Sequence, residues 1–385
     1  MSGAGDPGGA HRVHGMGLAM EAPTWPAITP DEAAAVLACF PDAPAIEALH
    51  WHSPRPFSAA TLIHTGGDTL LLKRHDRRVR SVAGLAEEHG FIAHLAAAEI
   101  PVPDLLRTGE GASAISRGDW TYELHRRAPG EDLYRDCLSW TPFQSHGHAH
   151  AAGVALARLH RASEGYAAPA RIVQPLVGSL SILSAVDPIA AAQAYVDARP
   201  ALGAFLEKRP WYKSLASLFA TSGEGIAALL ALQKPLWTHN DWHPSNLLWA
   251  ADGQVETVFD FGLADRTCAA HDLATAIERT AFAWLDPGEG RDDHIADPMA
   301  ALSLIAGYET IRPLDAVAKE TIVRLLPLVH IEFALSEIDY FAGVVGDPDA
   351  ALLAWDGYLL GHADWFQSVA GREFLACLRA GLALS

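Results

Sequence analysis

"HNDWHPSNLLWAADGQVETVFDFG", His239 to Gly262, opens on a polar cluster, crosses two short apolar runs and closes on Asp-Phe-Gly. The runs "NLLW" and "VETVFD" have strand character. Asp252-Gly253 between them is a residue pair that tight hairpin turns prefer. Antiparallel pairing brings the start of the first strand beside the end of the second. Asn246 opens the first and Asp260 closes the second, so their side chains are predicted to converge at the open end. An amide oxygen and a carboxylate there form a hard-oxygen site suited to Mg²⁺, which keeps several waters and takes phosphate oxygens as further ligands. Asp241 lies in the loop feeding that same end, close to the metal without needing to bind it.

The spacing adds a second constraint. His239 precedes Asp241 by two positions, and Asp241 precedes Asn246 by five. The protein-kinase catalytic loop, H-R-D-L-x-x-x-N, has the same offsets and is followed by D-F-G, here Asp260-Phe261-Gly262. The stretch "HNDWHPSNLL…FDFGLAD…HDLA" resembles the aminoglycoside phosphotransferase and choline kinase-like superfamily, whose members have a protein-kinase-like fold. The likeness runs over about residues 45 to 340, with its motifs between 239 and 275. It implies Asp241 as catalytic base, Asn246 and Asp260 as Mg²⁺ ligands, and His239 as a brace within the loop. It further implies that Asp272, in "AHDLATAIER", holds the loop in shape through backbone hydrogen bonds. His243 within the loop either orients phosphate or fills space.

The first part of the chain fits the same reading. A helix is predicted over "TPDEAAAVLACF", with Thr29 at its cap, and then strands over "IEALHWH", "SAATLIHT" and "DTLLLKRH". The helical stretch "SVAGLAEEHGFIAHLAAAEI" follows, then strands near Leu105 and over "WTYELHR". Lys73 ends "TLLLK", where a kinase places its phosphate-binding lysine. Its acidic partner on the next helix is Glu88, with Glu87 the alternative. "YELHR" takes the place of the hinge between lobes, with backbone groups of Glu123, Leu124 and His125 binding adenine. One departure stands out. The turn in "WHSPRPFSAAT" carries Pro54 and Pro56 and no G-x-G-x-x-G, so backbone contacts from that loop to phosphates are not expected.

After Arg126 the pattern becomes mostly helical, including "HAHAAGVALARLHRA" and a long apolar helix from Ala316 to Phe341 with a break at Pro327. The expected architecture is α+β and two-lobed: a mobile tail (1–24), a β-rich nucleotide-binding lobe (25–126) and a larger helical lobe (127–385) carrying the catalytic loop, metal and substrate sites. Among 385 residues half are hydrophobic, and the formal net charge is −18. That balance disfavours nucleic acid and anionic membranes as partners. No apolar run reaches a membrane span. Cys39, Cys137, Cys268 and Cys377 have no C-x-x-C spacing and read as thiols in a reducing compartment, so a cytoplasmic location is expected.

These features point to an enzyme using ATP, or GTP, and Mg²⁺ to phosphorylate the hydroxyl of a small molecule. Aminoglycoside-, choline- and homoserine-like acceptors all fit, and the oligomeric state stays open. Asp260 and Asp272 are only twelve positions apart, without the activation loop and A-P-E of a protein kinase, which is the second reading. A catalytically inactive nucleotide-binding protein is the third. Three acids, Glu332, Glu337 and Asp339, lie in the apolar stretch "LVHIEFALSEIDYF". Acids there are rarely buried unless paired. Either one of them binds a cation on the substrate, or they pair with Arg279, Arg312 or Arg324. His146, His148 and His150 read as a solvated helix start, and Trp237, Trp242 and Trp249 as packing.

Overall fold

The computed structural model describes residues 12–14, 20–172, 175–285 and 295–384. Much of the expected tail, residues 1–24, lies outside the described residues. Its described part holds a short antiparallel pair, β1 (Val13–His14) and β2 (Met20–Glu21). The chain forms two compact units. One comprises the chain to Leu85 with Asp104–Arg127, and the other comprises Ala86–Pro103 with Ala128–Ser385. The helix expected in the small lobe is thus divided, and most of it goes with the larger unit.

The smaller unit is built on a five-stranded antiparallel sheet. Its strands are β3 (Ile46–His52), β4 (Ala59–Thr65), β5 (Thr69–Asp76), β6 (Ala114–Arg117) and β7 (Trp120–Arg126), in the order β3-β4-β5-β7-β6. Alternation works as expected in β4 and β5: Ile63, Leu70 and Leu72 are buried against α1 (Pro30–Leu37). A capping box starts α1, with the Thr29 hydroxyl accepting from the Glu32 N–H and the Glu32 carboxylate accepting from the Thr29 N–H. Glu32 also pairs with the buried Arg74 at 2.8 Å and accepts from the Tyr122 hydroxyl at 2.7 Å. The strand expected near Leu105 is only a single bridge to His125.

Helix α2 (Val82–Ala97) leads into the larger unit. There follow α3 (His146–Ser163), α4 (Pro188–Asp197), α5 (Pro200–Leu206), α6 (Trp211–Ser222) and α7 (Ile226–Ala231). Strand β8 (Pro235–Thr238) enters the motif region. The predicted hairpin is β9 (Leu247–Trp249) paired antiparallel with β10 (Val255–Val258), and Gly253 takes the left-handed φ of 81° that the turn requires. Strand β11 (Asp265–Cys268) returns beside β8 and runs straight into α8 (Ala269–Thr280), nearly all of which is buried. Helices α9 (Pro298–Glu309), α10 (Ala316–Leu325) and α11 (Ile331–Asp339) follow. The long apolar stretch is thus two helices, parted by a turn around Pro327, whose ring cannot continue the hydrogen-bond ladder. The C-terminal helices are α12 (Pro348–Leu353), α13 (Gly361–Gln367) and α14 (Val369–Gly381). Among the described residues no helix is long and apolar enough to cross a membrane.

Candidate active site

The loop between β8 and β9 is held from beneath by one carboxylate. Asp272, in the first turn of α8, is fully buried. It accepts from the His239 N–H at 2.9 Å, from the Asn240 N–H at 2.8 Å and from the His160 Nε2–H at 2.9 Å. Burial alone would raise this carboxyl, but the bond from His160 and the neighbouring imidazoles hold it below its ordinary range. His160 is itself fixed through Nδ1 by the Tyr308 hydroxyl at 2.8 Å. Asn240 has a left-handed φ of 59°, and its amide oxygen accepts from Thr238 and Thr267 on β8 and β11.

His239 spans the loop. Its Nδ1 accepts from the Asp241 N–H at 3.2 Å, and its Nε2 donates to the Phe259 carbonyl at 3.0 Å just past β10. One acceptor and one donor specify a neutral ring, in accord with burial lowering its pKa. The loop is therefore tied to both the helix and the hairpin.

The open end of the hairpin is closed by the Phe259 N–H donating to the Asn246 carbonyl at 3.1 Å. Asp260 stands one residue beyond, with a left-handed φ of 58°. The Asn246 amide nitrogen donates to the Asp241 carbonyl oxygen and to Asp241 Oδ2, both at 2.9 Å. That leaves the Asn246 amide oxygen as its remaining acceptor. That oxygen and the Asp260 carboxylate are both hard oxygens, the kind Mg²⁺ selects. His243 lies 3.4 Å from Asp241 Oδ1 and is oriented by Ser245, so it packs on Asp241 within the loop.

Two arginines that the motif reading did not single out complete the site. Arg279, two turns after Asp272 on α8, donates through NH1 to Asp241 Oδ1. Seven residues separate the two on one helix, so both face the loop, and that spacing was available in the sequence. Arg171 lies in an irregular segment with no such signal. It donates to the carbonyls of Gly262 (2.9 Å) and Ala264 (3.2 Å), its N–H bonds Asp265 Oδ1 at 2.8 Å, and its guanidinium lies 3.6 Å from Glu88 and 3.8 Å from Glu87. Both candidate acids of α2 thus face Arg171, which links that helix to the Asp-Phe-Gly segment.

The remaining expectations fare differently. Lys73 sits in β5 opposite Ala60 and Glu123. Its neighbours are packed, not solvated: Arg74 pairs with Glu32, and His75 bonds Glu123 at 2.8 Å. The hinge assignment needs correcting. Glu123, Leu124 and His125 lie within β7, paired to β5 on one edge and to Ala114, Leu106 and Leu105 on the other. Their backbone groups are committed to the sheet, and the Glu123 side chain is held by His75 and His125.

The acids of α11 also separate. Glu332 accepts five bonds from Ser179, Ser181, Ile182 and Leu183, and so holds the loop before α4; it makes none of the proposed arginine pairs. Glu337 is buried near Arg279, and burial pushes its carboxyl up to about 8 against that charge. Burial likewise raises the Asp339 carboxyl, with Arg199 opposing. His146 bonds Asp297, and His148 bonds Tyr134 and stacks on Trp249, so neither is simply solvated. Trp237, Trp242 and Trp249 are buried packing residues.

Residues 56–314 match the phosphotransferase enzyme family. The chain belongs to that family. Among curated relatives, the homoserine kinase of Caulobacter sp. (strain K31) is 29% identical over 195 residues, covering 50% of this chain and 52% of the relative. The homoserine kinase of Gluconobacter oxydans (strain 621H) is 30% identical over 100 residues, 26% of this chain and 29% of the relative. The chain thus spans about half the length, or less, of these two relatives. Among solved structures, the microcompartment-associated aminopropanol kinase superposes with a TM-score of 0.56 at 18% identity, over 89% of this chain and 99% of the other. An aminoglycoside phosphotransferase from Alicyclobacillus acidocaldarius superposes at 0.53 with 19% identity, over 93% and 98%. At such identities these likenesses establish a shared fold: α+β, two-lobed and kinase-like.

Proposed function

We propose that this family member transfers the γ-phosphoryl group of ATP to the hydroxyl of a small molecule, with Asp241 as the base that aligns the acceptor. The observation that carries this reading is the position of Asp241: its loop is pinned by Asp272 and bridged by His239 to the hairpin end that bears Asn246 and Asp260. In the reaction the acceptor oxygen forms a bond to the γ-phosphorus. The bond from that phosphorus to the β,γ-bridging oxygen breaks, and ADP leaves with the electron pair. The acceptor's proton passes to an Asp241 carboxylate oxygen. Positioning and charge stabilisation supply most of such catalysis, and no covalent enzyme intermediate is required.

Asn246 and Asp260 would hold Mg²⁺, which neutralises charge on the phosphates when bound. Lys73 is the residue assigned to the phosphates. GTP in place of ATP is compatible with the same set. Homoserine is the first acceptor to test, because the named relatives are homoserine kinases. The protein-kinase reading is weaker, since only twelve positions separate Asp260 from Asp272.

The test is Asp241→Asn with ATP, Mg²⁺ and a panel of small alcohols. Turnover should fall by about 10²–10⁴-fold while nucleotide binding by calorimetry persists. Turnover within about tenfold of wild type would remove Asp241 from the role.

A further inference from the structure

Both oxygens of the Asp241 carboxylate are already engaged. Oδ2 accepts from Asn246, and Oδ1 accepts from Arg279 NH1. An acceptor hydroxyl therefore meets a base that shares its charge with a buried arginine. Arg279 is 1% exposed and lies against the rings of Trp140 and Phe333, with its guanidinium carbon 4.8 and 4.9 Å from their centroids. Its Nε, also buried, has no hydrogen-bond partner among the described residues. The guanidinium also hydrogen-bonds Tyr358, and the side chain lines a small cavity with Asn240, Thr275, Tyr358 and Glu278, whose carboxyl burial pushes up to about 7, directly beside the catalytic loop. A buried guanidinium with an unused donor is a costly arrangement unless a ligand completes it.

We propose that Arg279 is the anchor for a carboxylate on the phosphate acceptor, so that the substrates are short hydroxy acids or hydroxy amino acids. This rests on the reading of Asp241 as the base. Guanidinium matches a carboxylate through two parallel N–H donors, and aromatic walls exclude the water that would compete. Because Arg279 touches Asp241 itself, the acceptor's carboxylate and its hydroxyl must lie within a few bonds of each other. A bound carboxylate also gives the guanidinium a second anion and loosens its hold on Asp241 Oδ1, which frees that oxygen to align the hydroxyl.

The experiment uses three acceptor pairs that differ only by the carboxylate: L-homoserine against 3-amino-1-propanol, L-serine against ethanolamine, and glycerate against ethylene glycol. Turnover is measured with ATP and Mg²⁺. Binding is followed separately by the rise in melting temperature without nucleotide. In the wild-type protein at least one carboxylate member should exceed its partner in kcat/KM by about 10²-fold or more, because its absence leaves buried donors unpaired. It should also raise the melting temperature where its partner does not. Arg279→Gln should collapse that ratio toward one and abolish the melting shift. Arg279→Lys, which keeps the charge, should retain part of both, chiefly through a raised KM.

Equal use of both members by the wild type, or an equal loss on both in Arg279→Gln with the melting shift intact, overturns the proposal. A carboxylate-specific melting shift that depends on Arg279, with no phosphoryl transfer to any acceptor, upholds the anchor and overturns the kinase reading instead. Absence of both transfer and any melting shift overturns the anchor as well.

Discussion

Two buried charges stand two turns apart on the same face of α8, and they are treated in opposite ways. Asp272 is saturated: two backbone N–H groups and an imidazole fill its oxygens. Arg279 is not, because one nitrogen holds Asp241 while its Nε is left without a partner among the described residues. Its acidic neighbour Glu337 likewise keeps a buried oxygen unpaired. A saturated buried charge is a structural device, since removing it strands its partners. An unsaturated one beside a cavity is poised for a ligand, since the desolvation cost has already been incurred.

The sharpest break in that comparison is Asp272→Ala. It leaves the N–H groups of His239 and Asn240 and the ring of His160 without acceptors. Urea denaturation should show a loss of about 3–5 kcal/mol, with turnover lost alongside. Arg279→Gln should cost clearly less stability while removing acceptor selectivity. If the two variants lose stability equally, the distinction between bracing and poised charge fails.

A smaller effect is expected at Gly178, which supplies one wall of the cavity. Its N–H donates to the Leu263 carbonyl at 3.0 Å. A Cβ there would sit 2.7 Å from the Asn240 Cβ and 2.8 Å from the Leu263 oxygen. Gly178→Ala should cost about 1–3 kcal/mol and displace the loop between β8 and β9. An unchanged urea midpoint together with unchanged kcat would show that the two segments separate freely.

The smallest effect concerns pH. Burial raises the Glu337 carboxyl to about 8 and the Glu278 carboxyl to about 7, above the ordinary 4.5. The folded state therefore holds protons that the unfolded chain releases. The stability that this contributes is complete below 4.5 and is lost as pH rises through 7 to 8. Glu337→Gln removes one such group. Its melting temperature relative to wild type should climb by about 1–3 °C between pH 6 and 9. A difference that stays flat over that range would place the titration elsewhere.

Much of the site could be read along the chain because its signals are local. The turn at Asp252-Gly253 and the period-two strands set the hairpin, and the hairpin alone brings Asn246 near Asp260. Asp241 and Asn246 are five residues apart and bond directly. Pro327 parts α10 from α11 through its own ring. Capping chemistry placed the start of α1 at Thr29.

The tertiary structure alone decided which charges meet. Arg279 reaches Asp241 across 38 residues, and Glu332 holds the Ile182 N–H across 150. Arg171, in an irregular segment, grips Gly262 91 residues away. The seven-residue step from Asp272 sets which face of α8 carries Arg279, but which partner each of these charges meets depends on how separate elements pack and not on any one element's geometry. The same cause parts the two expectations for "WTYELHR", a strand and a hinge: whether that strand's second edge is filled depends on a distant neighbour, here Leu106 and Ala114. Local chemistry set the elements and the spacing of the motif, and packing set the electrostatic environment of Asp241.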